Sequence, residues 1–435
     1  MKKYITSERP HLFEPNIYIS VAVKIEGNVT AEMAVEAVRT AYTANESTMS
    51  KIVLCGNGSA YYEKQKESGC NIVIDSRGLK DIINDSEKKP FDLKKGELVR
   101  TFIRPENNGV TFVIHAHHLV GDGKSVVVLV NDILDSLDGK SPEIKPMLLI
   151  DSDYLEKRAK LPARVKLLVK HVNRKWAKTG KIFGWDDYDA IHRKYWDAHS
   201  SELEINTYSV SELKKRCANG TTLNSLLITE MLKNSLEVKT AGIPVSIREN
   251  NDSMSNQTSG IAVKFRYNNR KSFEANLEQV HKRIYKKLNN ANSRYFVLLF
   301  IAKLSQTLMD SVILNAYGCY DNPLSEKMSN IMGYTDKSSY DIGVTNLGKI
   351  DISAKYDSFK VDDVIFIPPK ISYSKEVVGI GSYKDKLTVC RHKVSLNKKS
   401  GEAAAVLFAS FSDSEKEAKR TYPRLRRFFT IYYLL

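Results

Sequence analysis

Between Val110 and Leu137 the chain reads VTFVIHAHHLVGDGKSVVVLVNDILDSL, and this stretch limits the fold more than any other. Its β-branched and aromatic residues predict a strand over Val110–His117. Gly121 and Gly123 then permit a tight turn, and Lys124–Leu137 reads as a buried helix. Just upstream, Leu98–Arg104 predicts a second strand, joined to the first by the turn-rich link from Pro105 to Gly109. Strand, tight turn and buried helix in succession call for a mixed α/β fold. The rest of the first part agrees: Tyr18–Ile25 alternates as a strand, Thr30 opens a helix, and Cys70–Asp75 is a further short strand.

A chain of 435 residues exceeds the roughly 100–200 of one domain, so two domains are expected, with cores that need no metal or disulfide staple. The composition shifts near Leu155. Lys157 through Lys181 holds ten basic residues and no acidic one, while Leu161, Val165, Leu168, Val172 and Trp176 recur at helical spacing. This predicts a basic amphipathic helix at a domain boundary. The expected partition is residues 1–160, a connector over 161–190, and residues 191–435. In the last part, Thr222–Leu236 and Phe273–Leu288 read as helices. Val245–Ile247, Ile261–Tyr267, Ile342–Thr345, Val377–Gly381 and Lys386–Cys390 read as strands. From Asp413 the chain reads as a helix with a basic-aromatic end.

Five dispersed cysteines without a CxxC pair argue against a disulfide framework and a zinc-thiolate site, and fit a reducing compartment. No apolar run is long enough for a membrane helix, and the start lacks a secretion signal, so a cytoplasmic protein is expected. With 66 Lys and Arg against 51 Asp and Glu, the net charge of +15 favours acidic partners. Nucleic acid is not expected among them, because the basic stretch lacks interleaved aromatics beyond Trp176 and no binding module is visible.

The chemistry concentrates in His115-Ala-His117-His118-Leu-Val-Gly-Asp122-Gly123. On a strand, His115 and His117 point to one side and His118 to the other. Structural histidines satisfied by hydrogen bonds are one reading. A metal site using His115, His117 and Asp122 is another, though no HExxH or Cys/His box supports it. A Walker-type phosphate loop fails, because His118 stands where the first glycine is required.

His117-His118-Leu-Val-Gly-Asp122-Gly123 is an HHxxxDG motif, and it resembles the signature of the chloramphenicol-acetyltransferase-like superfamily, which includes the condensation domains of peptide synthetases. Pro90-Phe91-Asp92-Leu93 with Gly96-Glu97-Leu98-Val99-Arg100 looks like the segment preceding that motif. Thr222-Leu223-Asn224-Ser225-Leu226-Leu227, Pro244-Val245-Ser246-Ile247-Arg248 and Thr345-Asn346-Leu347-Gly348 resemble later segments in the same order. The DFGWG motif of the plant members is absent, so their acyl-CoA specificity does not carry over.

The resemblance implies two chloramphenicol-acetyltransferase-like α/β lobes in a V with a central tunnel. It implies a metal-independent acyltransferase that moves an acyl group from CoA or a carrier-protein thioester to a hydroxyl or amine, with His118 as general base. Asp122 would pair with an arginine, Arg248 before Arg100. Gly123 and His117 would be structural at the site, and Thr345 and Asn346 candidates for the tunnel wall. No bound cofactor is expected, CoA or phosphopantetheine entering as the donor thioester. The expected partners are acyl-CoA or a separate acidic carrier protein and a small alcohol or amine, and the expected state is a monomer. The alternatives are a stand-alone condensation enzyme forming an amide between two carrier-bound units, and a non-catalytic carrier-docking homologue.

Overall fold

In the computed structural model, residues 2–217, 220–234, 240–249, 251–334, 342–370 and 376–397 are described. The helix expected from Asp413 lies outside them. The strand that ends in the histidines spans Gly109–His117 and is central in a five-stranded sheet. It pairs antiparallel with Tyr18–Gly27 on one side, Tyr18 opposite His117 and Ser20 opposite His115. On the other side it pairs with Val99–Glu106, Arg100 opposite His115, and Asn71–Ile74 joins beyond that in parallel.

The fifth strand comes from far along the chain. Phe359–Ile367 pairs antiparallel with Tyr18–Gly27 and forms an edge of this first sheet. The contiguous partition at 191–435 does not describe this crossover. Val361, Val364 and Phe366 are buried, while Lys360 and Asp362 face outward and form ion pairs with Glu26 and Lys24. A register shift between Val361 and Asp363 breaks the strict alternation that would have marked the strand in the sequence. Helices Ala291–Lys303, Gln306–Ala316 and Pro323–Met332 also bury their apolar side chains in the core of the first sheet.

The other sheet has six strands in the order Thr258–Lys264, Thr240–Ser246, Ile342–Lys349, Glu376–Tyr383, Lys386–Leu396 and His199–Ser209. Helices Leu223–Asn234 and Phe273–Leu288 pack into its separate core. A third cluster joins the halves: Ala22, Phe102 and Val113 of the first sheet and Ile82 and Ile83 of a helix meet Leu203 and Cys390 of the second. A small third sheet pairs Lys3–Tyr4 and Ser50–Leu54 with Ala60–Lys64.

The basic helix spans Ala163–Ala177. Its buried stripe is Val165, Val169, Val172 and Trp176, with the expected Leu168 half-buried against the same core. Asn173 bonds both the Lys303 carbonyl and the Ser305 amide, and the Trp176 indole donates to Thr307 Oγ1 at 2.8 Å. The helix therefore braces the corner between two core helices, and its cations, Arg164, Lys166, Lys170, Arg174 and Lys175 among them, face solvent. No single helix among the described residues is long and apolar enough to cross a membrane.

Phe366 is almost fully buried on the crossover strand, beside the start of the Gly123–Leu137 helix. Phe366→Ala is expected to lower unfolding stability by about 3–5 kcal/mol, read from denaturant titration. A loss below about 1 kcal/mol would show that the crossover strand contributes little to the fold.

Candidate active site

The strand–turn–helix unit places the motif in three steps. The strand ends at His117, His118–Val120 forms one turn of 3-10 helix, and Asp122 caps the helix Gly123–Leu137. Gly121 carries the bend, with φ of 151° and room for no side chain: a Cβ there would lie 2.4 Å from Ser125 Cβ. Gly123, expected to share this duty, is instead the first residue of the helix with ordinary backbone, and a Cβ there would meet Leu347 Cδ2 at 2.6 Å.

Asp122 is bonded through both carboxylate oxygens. Its Oδ1 accepts from the Ser125 amide, Ser125 Oγ and Arg248 Nη2, each at 3.0 Å. Its Oδ2 accepts from the Gln257 amide at 3.0 Å and Thr258 Oγ1 at 2.9 Å. Burial alone would raise its pKa, but the Arg248 charge and these donors hold it below the usual carboxylate value. Arg248 also donates to the carbonyls of Ser253 and Ser255 at 2.5 and 3.1 Å. Arg100, the other candidate partner, lies elsewhere: it bonds Glu97 and the carbonyls of Ser86, Lys89 and Pro90, with its guanidinium 4.0 Å from the Phe91 ring centre.

The histidines divide as alternation dictates. His115 and His117 pack against Tyr18 and Phe91, and Nδ1 of His115 lies 2.8 Å from Ser20 Oγ. His117 Nδ1 accepts from the Leu119 amide at 3.2 Å, so this ring is spent on shaping the turn. Burial, with neighbouring imidazoles adding to it, pushes His117 down to about 3. His118 sits on the other side and stacks on His11, ring centres 4.4 Å apart. Its backbone amide donates to Ile17 and its carbonyl accepts from Asn256 Nδ2 at 2.5 Å. Burial lowers its pKa below the ordinary imidazole value, although the Asp122 charge, its own carbonyl and Asn256 pull the other way. A neutral imidazole on a fixed turn can accept a proton.

Asn346 bonds Asn224 Oδ1 at 3.2 Å and accepts from the Gly348 amide at 2.7 Å. Thr345 is half-buried on the same strand, so neither is brought against His118 by a described contact, and Leu347 is the residue of that segment that reaches the motif. The metal reading finds no support in the geometry: no cluster of His, Cys, Asp or Glu able to hold an ion occurs among the described residues, and Asp122 turns to Arg248.

Residues 23–167 match the family profile of the condensation domain. The chain is 29 % identical over 142 residues to bacitracin synthase 3 of Bacillus licheniformis. It is 36 % identical over 75 residues to a linear gramicidin synthase of Brevibacillus parabrevis. These stretches cover 32 % and 16 % of this chain but only 2 % and 1 % of the synthetases. Among solved structures, the first condensation domain of the CDA synthetase superposes with a TM-score of 0.58 at 13 % identity, covering 99 % of this chain and 95 % of that one. The trichothecene 15-O-acetyltransferase TRI3 of Fusarium sporotrichioides gives 0.58 at 12 % identity, covering 89 % of each. The fold is the one shared by these solved structures, a condensation domain and an acetyltransferase.

Around the His118 turn stand residues that sequence reasoning did not single out. Arg9 forms a buried bidentate pair with Asp310, with Nε–Oδ1 at 2.6 Å and Nη2–Oδ2 at 2.5 Å, fixing the segment that presents His11. Glu8, Tyr62 and Asn256 converge on the His118 turn from three other places in the chain. Only the mixed charge and polarity of Ser-Glu-Arg-Pro-His so near an apolar run could have drawn attention to the first of these.

Gly121→Ala tests the turn. The backbone alone should cost about 1–3 kcal/mol, and the contact with Ser125 adds to it. Unfolding stability is expected to fall by at least that amount; a variant as stable as the parent would show that the positive φ is not required.

Proposed function

We propose that this protein is an acyltransferase that moves an acyl group from a CoA or carrier-protein thioester to a hydroxyl or amine, with His118 as the general base. The observation that carries the reading is a buried imidazole, its pKa held below the ordinary value, on a turn that Asp122 and Arg248 lock from opposite halves of the chain. His118 takes the proton of the incoming nucleophile as it attacks the thioester carbonyl. The tetrahedral oxyanion collapses, the C–S bond breaks, and the imidazolium returns the proton to the leaving thiolate. No acyl-enzyme is needed. A positioned base of this kind contributes roughly 10²–10⁴-fold.

Asp122 transfers no proton in this scheme; it keeps the turn in place. His117 and Gly123 are assigned the same supporting role. Thr345 and Asn346 are assigned to the wall of the substrate channel, supported by the reach of neighbouring Leu347 to Gly123. The surplus of +15 suits an acidic carrier or the phosphates of CoA. CoA as donor has a parallel in the starter condensation domain of rhizomide synthetase, whose mutant was solved with C8-CoA. We place the protein in the cytoplasm as a monomer that needs no bound cofactor.

A second reading, a stand-alone enzyme joining two carrier-bound units by an amide, is favoured by the matches to peptide synthetases. Acyl-CoA and acyl-carrier donors, offered with mixed alcohols and amines and read by free thiol and product mass, separate the two. His118→Ala is expected to lower turnover by at least about 10²-fold while the Tm stays near that of the parent. Retained turnover would remove His118 from its role. With its pKa held below the ordinary 6.5, His118 stays neutral through the physiological range, so on acidification kcat/KM should begin to decline only below that value. A loss already beginning at neutral pH on acidification would contradict the assignment.

A further inference from the structure

Tyr62 is buried on the Ala60–Lys64 strand, and its hydroxyl oxygen lies 2.7 Å from the Leu119 carbonyl oxygen and 2.9 Å from Glu8 Oε2. A phenol has one proton to donate. The Leu119 carbonyl can only accept, and as the nearer acceptor it takes that proton. The Glu8 contact is then a hydrogen bond only when the carboxyl supplies the second proton, with the phenol oxygen as acceptor. The other carboxyl oxygen, Oε1, is buried with no hydrogen-bond partner among the described residues, a setting that disfavours a carboxylate.

The groups facing Glu8 pull in both directions. Tyr62 from the strand and Asn256 from the second half of the chain favour the carboxylate, while burial and the negative charge of Asp122 from the motif oppose ionisation. Arg9, the adjacent cation, is turned to Asp310. His11, on the same segment, is pushed towards its neutral form by burial and by the His118 and His117 rings. Burial is the largest influence on Glu8 and raises its pKa to about 7.

We propose that Glu8 is a proton-holding positioning residue: as the neutral acid it donates to Tyr62, Tyr62 donates to Leu119, and this relay fixes the turn that carries His118. When Glu8 ionises, its proton leaves to solvent and its carboxylate competes for the Tyr62 proton. The Leu119 carbonyl then loses its donor and the turn loosens. The effect on turnover rests on the reading of His118 as base; the protonation of Glu8 does not.

The test compares the full-length parent with Glu8→Gln, whose amide donates at every pH, and Tyr62→Phe, which cuts the relay. Infrared difference spectra should show the C=O stretch of a protonated carboxyl at about pH 6 that is lost by about pH 8 and is missing in Glu8→Gln. Parent turnover should fall by roughly tenfold per pH unit above the midpoint, Glu8→Gln should hold its rate there, and Tyr62→Phe should be slow throughout. Stability gives a readout independent of catalysis. A carboxyl raised in the folded state contributes stability that is fully present below its unfolded value and is lost as pH rises through about 7. The Tm of the parent should therefore drop relative to Glu8→Gln over that interval. Absence of the carboxyl band, or parallel Tm profiles, overturns the protonated Glu8 even where no thioester is turned over. A titrating band with identical pH–rate profiles for parent and Glu8→Gln overturns the positioning role alone.

Discussion

The buried pair of Asp122 and Arg248 is the constraint on which the site depends. Asp122 ends the sharp turn between the central strand and its helix, and Arg248 follows a strand of the second sheet. A carboxylate this buried is costly unless its oxygens are satisfied, and here five donors surround it. Three of them, Arg248, Gln257 and Thr258, come from the second half of the chain. The turn that carries His118 therefore draws on donors from the second half, and the halves are coupled by charge as well as by the apolar cluster of Ala22, Val113, Leu203 and Cys390.

The imidazoles near the turn are kept neutral by the same desolvation. His11, His115, His117 and His118 are all shifted towards the uncharged form, with burial as the first cause in each. They differ in what their ring nitrogens do. His115 meets Ser20 and His117 holds the Leu119 amide, each through Nδ1 with Nε2 unpartnered among the described residues, whereas His118 lies against another ring and its Nδ1 has no partner among them. A ring whose Nδ1 takes no part in holding the turn is available for chemistry.

Much of this was legible because the motif is contiguous. Alternation along Gly109–His117 separates His118 from His115 and His117, and a glycine-flanked Asp before an apolar run announces the helix cap. Arg248 could be named only through resemblance, since 126 residues separate it from Asp122. Glu8, His11, Tyr62 and Asn256 carried no spacing signal, because each reaches the turn across the fold. The crossover strand escaped notice for a local reason, the bulge at Val361 and Asp363, while the expected face of the basic helix holds, with Leu168 half-buried against the core and Val169 buried beside it. Its cations serve a helix whose other face braces the core, a role that charge counting does not reveal.

The central claim is that Asp122 and Arg248 act as one unit across the two halves. A double-mutant cycle of Asp122→Asn and Arg248→Gln, followed by denaturant unfolding of all four proteins, measures that coupling directly. A buried, mutually satisfied pair predicts a coupling of about 2–3 kcal/mol, each single change leaving the other group uncompensated. Additive losses within about 0.5 kcal/mol would contradict it.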